Sequence, residues 1–258
     1  MQSSTTVLPS PRHADFYNAL PDVMDADAHV TRLGRHAAID HLIEVIVRHG
    51  MGDLVGIRLL HNHCPISPVE LMVEEEEMGD GGPVLATAPR LTDSPLTDGL
   101  APNSWALVDG AWTPVEFSAE DAVRRAAALA MGQTSFLADF ATRLQEMGAA
   151  QTLGLCVFER QFFRFANPSR RDEILVETTD TERRANILRF DDATHHAPGS
   201  LIETVWVAGV GSDPTANCPT RCGTRCQILM SCQDYSTGHQ KFKVSHDKQH
   251  TGPEHWSG

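Results

Sequence analysis

The chain has 258 residues, with 41% apolar and 21% charged side chains and a formal net charge of −13. Such a composition builds a real core, as one large domain or two small ones, and the acidic balance excludes a general nucleic-acid binder or a surface for anionic membranes, both of which use clustered Lys and Arg. No apolar run reaches the roughly 18 residues needed to cross a bilayer, and the N-terminal MQSSTTVLPSPRHADF has neither the basic start nor the apolar stretch of a secretory signal, which points to the cytoplasm.

Residues 1–35 carry Ser, Thr, Pro and isolated apolar side chains without a sustained period, so they read as an extended arm with a short helical turn over 14–20. Over 36–49, Leu42, Ile43, Ile46 and Val47 recur at helical spacing and Gly50 and Gly52 supply the stop, which predicts a helix. Residues 54–77, LVGIRLLHNHCPISPVELMVEEEE, read as two strands and a turn, the second strand ending in four acidic residues whose simplest reading is a solvated strand end. MGDGGP is a loop by composition. A third strand follows over 84–91, with Pro89 placing it near a sheet edge, and 92–104 is a loop. Residues 105–117 read as two short strands around Asp109-Gly110, a dipeptide suited to a type I′ turn because both central residues take positive φ. Ser118 is placed to cap a helical stretch over 119–147 that breaks near Gly132.

The chain then repeats its own pattern. Gly50 and Gly56 are matched by Gly148 and Gly154, and each second glycine opens an apolar strand, IRLL or LCVF. Glu70-Leu-Met-Val-Glu74 resembles Glu173-Ile-Leu-Val-Glu177, and further strands start at Val84 and Ile187. The expected architecture is therefore α+β, with two pseudo-repeated helix-plus-antiparallel-sheet units over 36–117 and 118–210, followed by a Cys/His-rich tail over 211–258.

Chemistry is suggested at two places. Val55, Ile57, Leu59, His61 and His63 share one parity, so on a strand both imidazoles project from one face, and Glu70 or Glu74 on the next strand could complete a site for zinc, iron or copper. The matching positions in the second unit are Glu159 and Gln161, as if only the first unit had acquired a site. The order Gly56, His61, His63, Glu70 is similar to the cupin metal motif, but the intervals differ and no second motif follows, so no family is assigned. In the tail, Cys218, Cys222, Cys226 and Cys232 lie with His239, His246 and His250 at spacings that zinc ligands tolerate, and His246-x3-His250 would put two rings on one face of a helix. Two functions follow. One is a metal-dependent enzyme of small-molecule metabolism, oxidative or hydrolytic, with a His61/His63 site and a small-molecule substrate. The other is a non-catalytic binding or scaffold protein whose structural zinc is held by the tail. Neither involves nucleic acid or a membrane.

Overall fold

The computed structural model describes residues 12–94, 99–160, 173–192, 195, 201–208, 227–234 and 240–247. Their helices are α1 (Arg12–Asn18), α2 (Val23–Arg32), α3 (Arg35–Arg48), α4 (Asp121–Met131) and α5 (Thr134–Glu146). The strands in chain order are β1 (Val55–Leu59), β2 (Glu70–Gly79), β3 (Gly82–Leu91), β4 (Ala101–Pro102), β5 (Ser104–Val108), β6 (Ala111–Pro114), β7 (Phe117–Ser118), β8 (Leu153–Val157), β9 (Glu173–Asp180), β10 (Ala185–Asp192), β11 (Ile202–Ala208), β12 (Gln227–Asp234) and β13 (Gln240–Asp247). They form two sheets, in the orders β13-β12-β11-β1-β8-β5-β6 and β4-β7-β2-β3-β10-β9, and the class is α+β. No helix of the described residues is long and apolar enough to cross a membrane.

The alternation of β1 sets the layers. Val55, Ile57 and Leu59 join a core with Val30 of α2, Leu42 and Ile46 of α3, Val123 of α4 and Phe136 and Phe140 of α5, so the helices cover one face of the first sheet. Gly56 and Arg58 have the opposite parity and turn toward the second sheet, where Leu85, Cys156, Leu175, Val205 and Val207 make a smaller apolar cluster. Both sheets mix strands from 36–117 with strands from 118–210: β1 pairs β8 with Ile57 opposite Leu155, and β3 pairs β10 with Leu85 opposite Leu188. Two glycines make the first sheet's centre possible. A Cβ on Gly154 would lie 2.2 Å from the Trp105 carbonyl oxygen, and one on Gly56 would lie 2.6 Å from Val207 Cγ1.

Several local expectations need correction. Residues 23–32, read as part of an extended arm, form α2: Asp22 caps it by accepting from Asp25 N at 2.8 Å, and Val23, Ala26 and Val30 give a buried stripe too sparse to reveal a period. Pro89 does not mark an edge strand, because β3 lies inside its sheet. Its pairing with β10 covers only Leu85 to Thr87, so the proline falls beyond the stretch that needs an amide donor on that side. Ser118 belongs to β7, and Glu120 precedes α4 in its place. The hairpin turn has the expected form, with φ of 50° at Asp109 and 78° at Gly110.

Candidate functional site

The His61–His63 segment owes its position to α1. Strand β1 stops at Leu59, so the period of 2 that would align the two imidazoles lapses before it reaches them. What fixes the segment is a set of hydrogen bonds to the chain around α1. Asn62 N donates to Pro21 O at 3.1 Å and Asn62 Nδ2 to Leu20 O at 2.7 Å, while Asn18 bridges the N–H and the carbonyl of Ile66 at 2.9 and 2.8 Å. His63 N donates to the buried Tyr17 hydroxyl at 3.1 Å. The His63 ring is thereby turned between the sheets, onto the Arg58 side of β1. The two imidazoles still meet edge-on, with centroids 4.7 Å apart.

Around His63 the fold assembles groups from four other places in the chain. Arg58 Nη1 lies 2.6 Å from Glu116 Oε2, and Arg58 Nη2 lies 2.9 Å from Glu116 Oε1. His63 Nε2 is 3.1 Å from Glu116 Oε1 and 3.1 Å from Arg58 Nη2. On the other side of the ring, Nδ1 is 3.3 Å from Glu177 Oε1 and 2.8 Å from Asn186 Nδ2. Chemistry narrows the proton positions. A guanidinium only donates and an ionised carboxylate only accepts, so an Nε2–H directed at Glu116 leaves Nδ1 to accept from Asn186, and a second proton on Nδ1 would point at Glu177.

The two carboxyls that flank the imidazole are shifted in opposite directions. Burial pushes Glu116 up, but the Arg58 guanidinium and His63 outweigh it and hold the carboxyl at about 2. Burial pushes Glu177 well above the usual carboxylate range; Arg58 opposes this, while Glu116 and Glu74 add repulsion. The Glu177–His63 distance would suit an ion pair, while burial favours the protonated form of Glu177. His61 is fully buried, and burial, with smaller effects from the neighbouring His63 and Arg58, holds it well below the usual imidazole range. Its Nδ1 lies 2.9 Å from Leu59 O, so Nδ1 carries the proton.

Glu74 and Glu70, the carboxylates expected beside the histidines, each face an arginine. Glu74 is buried, not a solvated strand end: Arg160 grips it with Nε on Oε1 and with Nη2 on Oε2 at 3.0 Å, and Arg160 Nη1 donates to Glu159 O at 2.7 Å. Glu70 lies near the surface, its Oε1 2.9 Å from Arg184 Nη1. Between the sheets lies a cavity of about 50 Å³ whose polar lining includes Arg58, Glu74, Asn103, Arg160, Glu177 and Asn186. Cys156, also on its wall, is pushed by burial to about 11 despite the nearby Arg58, so it is held as a thiol. Cys64 is half-buried and likewise raised by burial.

No protein-family model matches the chain, and no curated protein or solved structure matches it either. Chemistry must therefore be read from the site alone. Among the described residues, no group of three or more His, Cys, Asp and Glu side chains is arranged to hold a metal ion. Cys218, Cys222, Cys226, His239 and His250 lie outside the described residues. Cys232 is on β12 opposite Phe242, and His246 is on β13 opposite Ile228, so His246 sits on a strand and not on the helical turn its spacing to His250 suggested.

The sequence reading missed Arg58, Glu116, Glu177 and Asn186. One signal was available: Arg58 is a lone charge inside the apolar run VGIRLL, and a charge there needs a buried partner.

Proposed function

We propose that the chain is an enzyme of small-molecule chemistry that works by proton transfer in the inter-sheet cavity. Glu177 is the general acid, His63 is its proton partner, and the Arg58–Glu116 pair fixes the imidazole. The observation that carries this reading is Glu177 itself: it is only 4% exposed, lines the cavity and lies 3.3 Å from an imidazole nitrogen. A carboxylic acid that keeps its proton can give it to a basic oxygen of a bound molecule, and the carboxylate left behind faces His63 Nδ1, through which a proton taken from water would restore the acid. For a substrate turned over by this chain, Glu177→Gln should lower kcat by roughly 10²- to 10⁴-fold with a smaller change in KM. Unchanged kcat would remove the acid from the mechanism.

The reading also takes the two units as duplicates of one another. Ile57 pairs with Leu155, its counterpart in the second unit, and Leu85 pairs with Leu188, likewise its counterpart, as expected where a twofold axis crosses both sheets. Trp105 opposite Leu155 matches Trp206 opposite Ile57. The cavity then lies where the two units meet. Each unit's glutamate, Glu74 or Glu177, is met by a basic residue from beyond the first strand of the other unit, Arg160 or His63.

A second reading keeps His61 and His63 as ligands of zinc, iron or copper. It is favoured by their 4.7 Å ring separation and by the hydrogen bond that orients His61 on a backbone carbonyl. Metal content of His61→Ala beside Cys222→Ser separates this site from a structural zinc in the tail, because a scaffold loses metal only with the second change.

A further inference from the structure

Residues 12–21 fill one end of the space between the sheets. Ala14 and Tyr17 of α1, and Leu20 just after it, pack in one cluster with Leu60, Met72 and Ala106. Two chain segments lead from that cluster to the cavity: Arg58 lines the cavity and Leu60 lies two positions on, while Glu74 lines it and Met72 lies two positions back. His63 joins the two regions, its N–H on the Tyr17 hydroxyl and its ring beside Arg58. The side chains of His63 and Glu116 are each 1% exposed, and neither is among the described residues that line the cavity.

This end is held differently from the rest of the centre. Arg58, Glu177 and Asn186 stand on β1, β9 and β10, whose backbones are fixed by strand pairing, and the Glu116 carbonyl accepts from Asn103 N at 2.9 Å. Helix α1 has seven residues, fewer than the roughly 12–15 that make an isolated helix even marginal in water, so it is helical because it is docked. The docking consists of the apolar cluster and of the hydrogen bonds to residues 62–66, in which Asn62, His63 and Ile66 donate their N–H groups to Pro21 O, Tyr17 Oη and Asn18 Oδ1. Undocking breaks no ladder bond of either sheet, which is the pattern of a segment that opens below the free energy of global unfolding.

We propose that residues 12–21 are a strap that opens as one unit about the turn into α2, and that this opening is how solvent and small solutes reach His63 and Glu116. Closed, the strap sets the position of the His63 main chain and seals the imidazole. Open, it uncovers the imidazole while both sheets stay paired. The inference goes beyond the proton-transfer reading and does not depend on it, since any chemistry at His63 needs a route from solvent.

The test is native-state hydrogen exchange of the full chain in urea well below the unfolding midpoint. The N–H groups of Asn62, His63 and Ile66 should share one opening constant, about tenfold or more above that of the β1–β8 ladder amides, with a smaller urea dependence because less surface is exposed. Tyr17→Phe removes the acceptor of His63 N, yet Asn62 and Ile66, whose own acceptors are intact, should exchange faster by a common factor of roughly 2- to 12-fold, the effect expected for one hydrogen bond. Diethyl pyrocarbonate, which acylates imidazole, reads access. Its rate at His63, located by peptide mass spectrometry, should follow the urea dependence of the strap amides and rise in Tyr17→Phe by the same factor. Acceleration confined to the His63 amide would mean a local contact and no strap. Strap amides with the full urea dependence of the ladder would mean that the segment opens only with the whole fold. Acylation of His63 that is indifferent to Tyr17→Phe would place the route elsewhere. Each of these three results overturns the proposal.

Discussion

Glu74 and Glu177 close matching sequences, ELMVE and EILVE, on β2 and β9, and both side chains are buried on the wall of one cavity. Their partners differ. Glu74 is held two-pronged by Arg160, a cation that does not release its proton at any ordinary pH. Glu177 meets the His63 imidazole, which is itself steadied by Glu116 and Arg58. Identical side chains in similar strands are thus given unlike work by what reaches them from the opposite sheet. One carboxylate completes an ion pair that holds the sheets together. The other is the acid of the proposed proton transfer.

Exchanging the two glutamates for glutamine should separate these roles. The largest effect is expected on turnover, where Glu177→Gln loses roughly 10²- to 10⁴-fold in kcat. If Glu74→Gln produced the same loss in a folded protein, the division of labour would be wrong. Next in size is stability. Glu74→Gln strips Arg160 of its carboxylate inside the protein, and a broken buried pair typically costs about 3–5 kcal/mol, readable as a lower denaturant midpoint. Glu177→Gln leaves the Arg58–Glu116 and Arg160–Glu74 pairs intact and should cost much less.

The pH dependence sharpens the contrast further. Glu177 has a folded value above its unfolded one, so the folded chain keeps a proton that the unfolded chain loses. Its contribution to stability is full below the ordinary carboxylate range and falls as pH rises toward the folded value. Glu116 runs the other way, its contribution being present above the ordinary range and lost as pH falls toward about 2. Melting temperature followed against pH should show the upper slope flattened in Glu177→Gln and the acid slope retained. The smallest effect belongs to Tyr17→Phe, which removes the hydroxyl that accepts from His63 N and should cost about 0.5–1.5 kcal/mol, with turnover shifted less than in Glu177→Gln.

How much of this was legible in the sequence depends on how local the cause is. The turn at Asp109-Gly110, helix α3 and the break between α4 and α5 near Gly132 follow from side chains within a few positions of one another. Helix α2 did not show because only three of its ten residues are buried hydrophobics. The histidine pair was visible as a local oddity, but its carboxylates were sought on the neighbouring strand, and strand parity was extended past the end of β1. Glu116, Glu177 and Asn186 reach His63 from 53, 114 and 123 positions away, through the packing of one sheet on the other. Such contacts leave no trace in the spacing of residues. Arg58 was the exception, an unpaired charge in an apolar strand whose sequence announced that a partner must exist.

The central claim is that Glu177 holds a proton at neutral pH while Glu74 is committed to Arg160. Its most direct test is a carbon-13 NMR titration of the glutamate side-chain carboxyls in the full chain, with Glu177→Gln and Glu74→Gln for assignment. The account predicts that the carboxyl signal lost in Glu177→Gln is that of a neutral acid at pH 7 and moves to the carboxylate position only at higher pH. A Glu177 signal already at the carboxylate position at pH 7, titrating in the ordinary acid range, would contradict it.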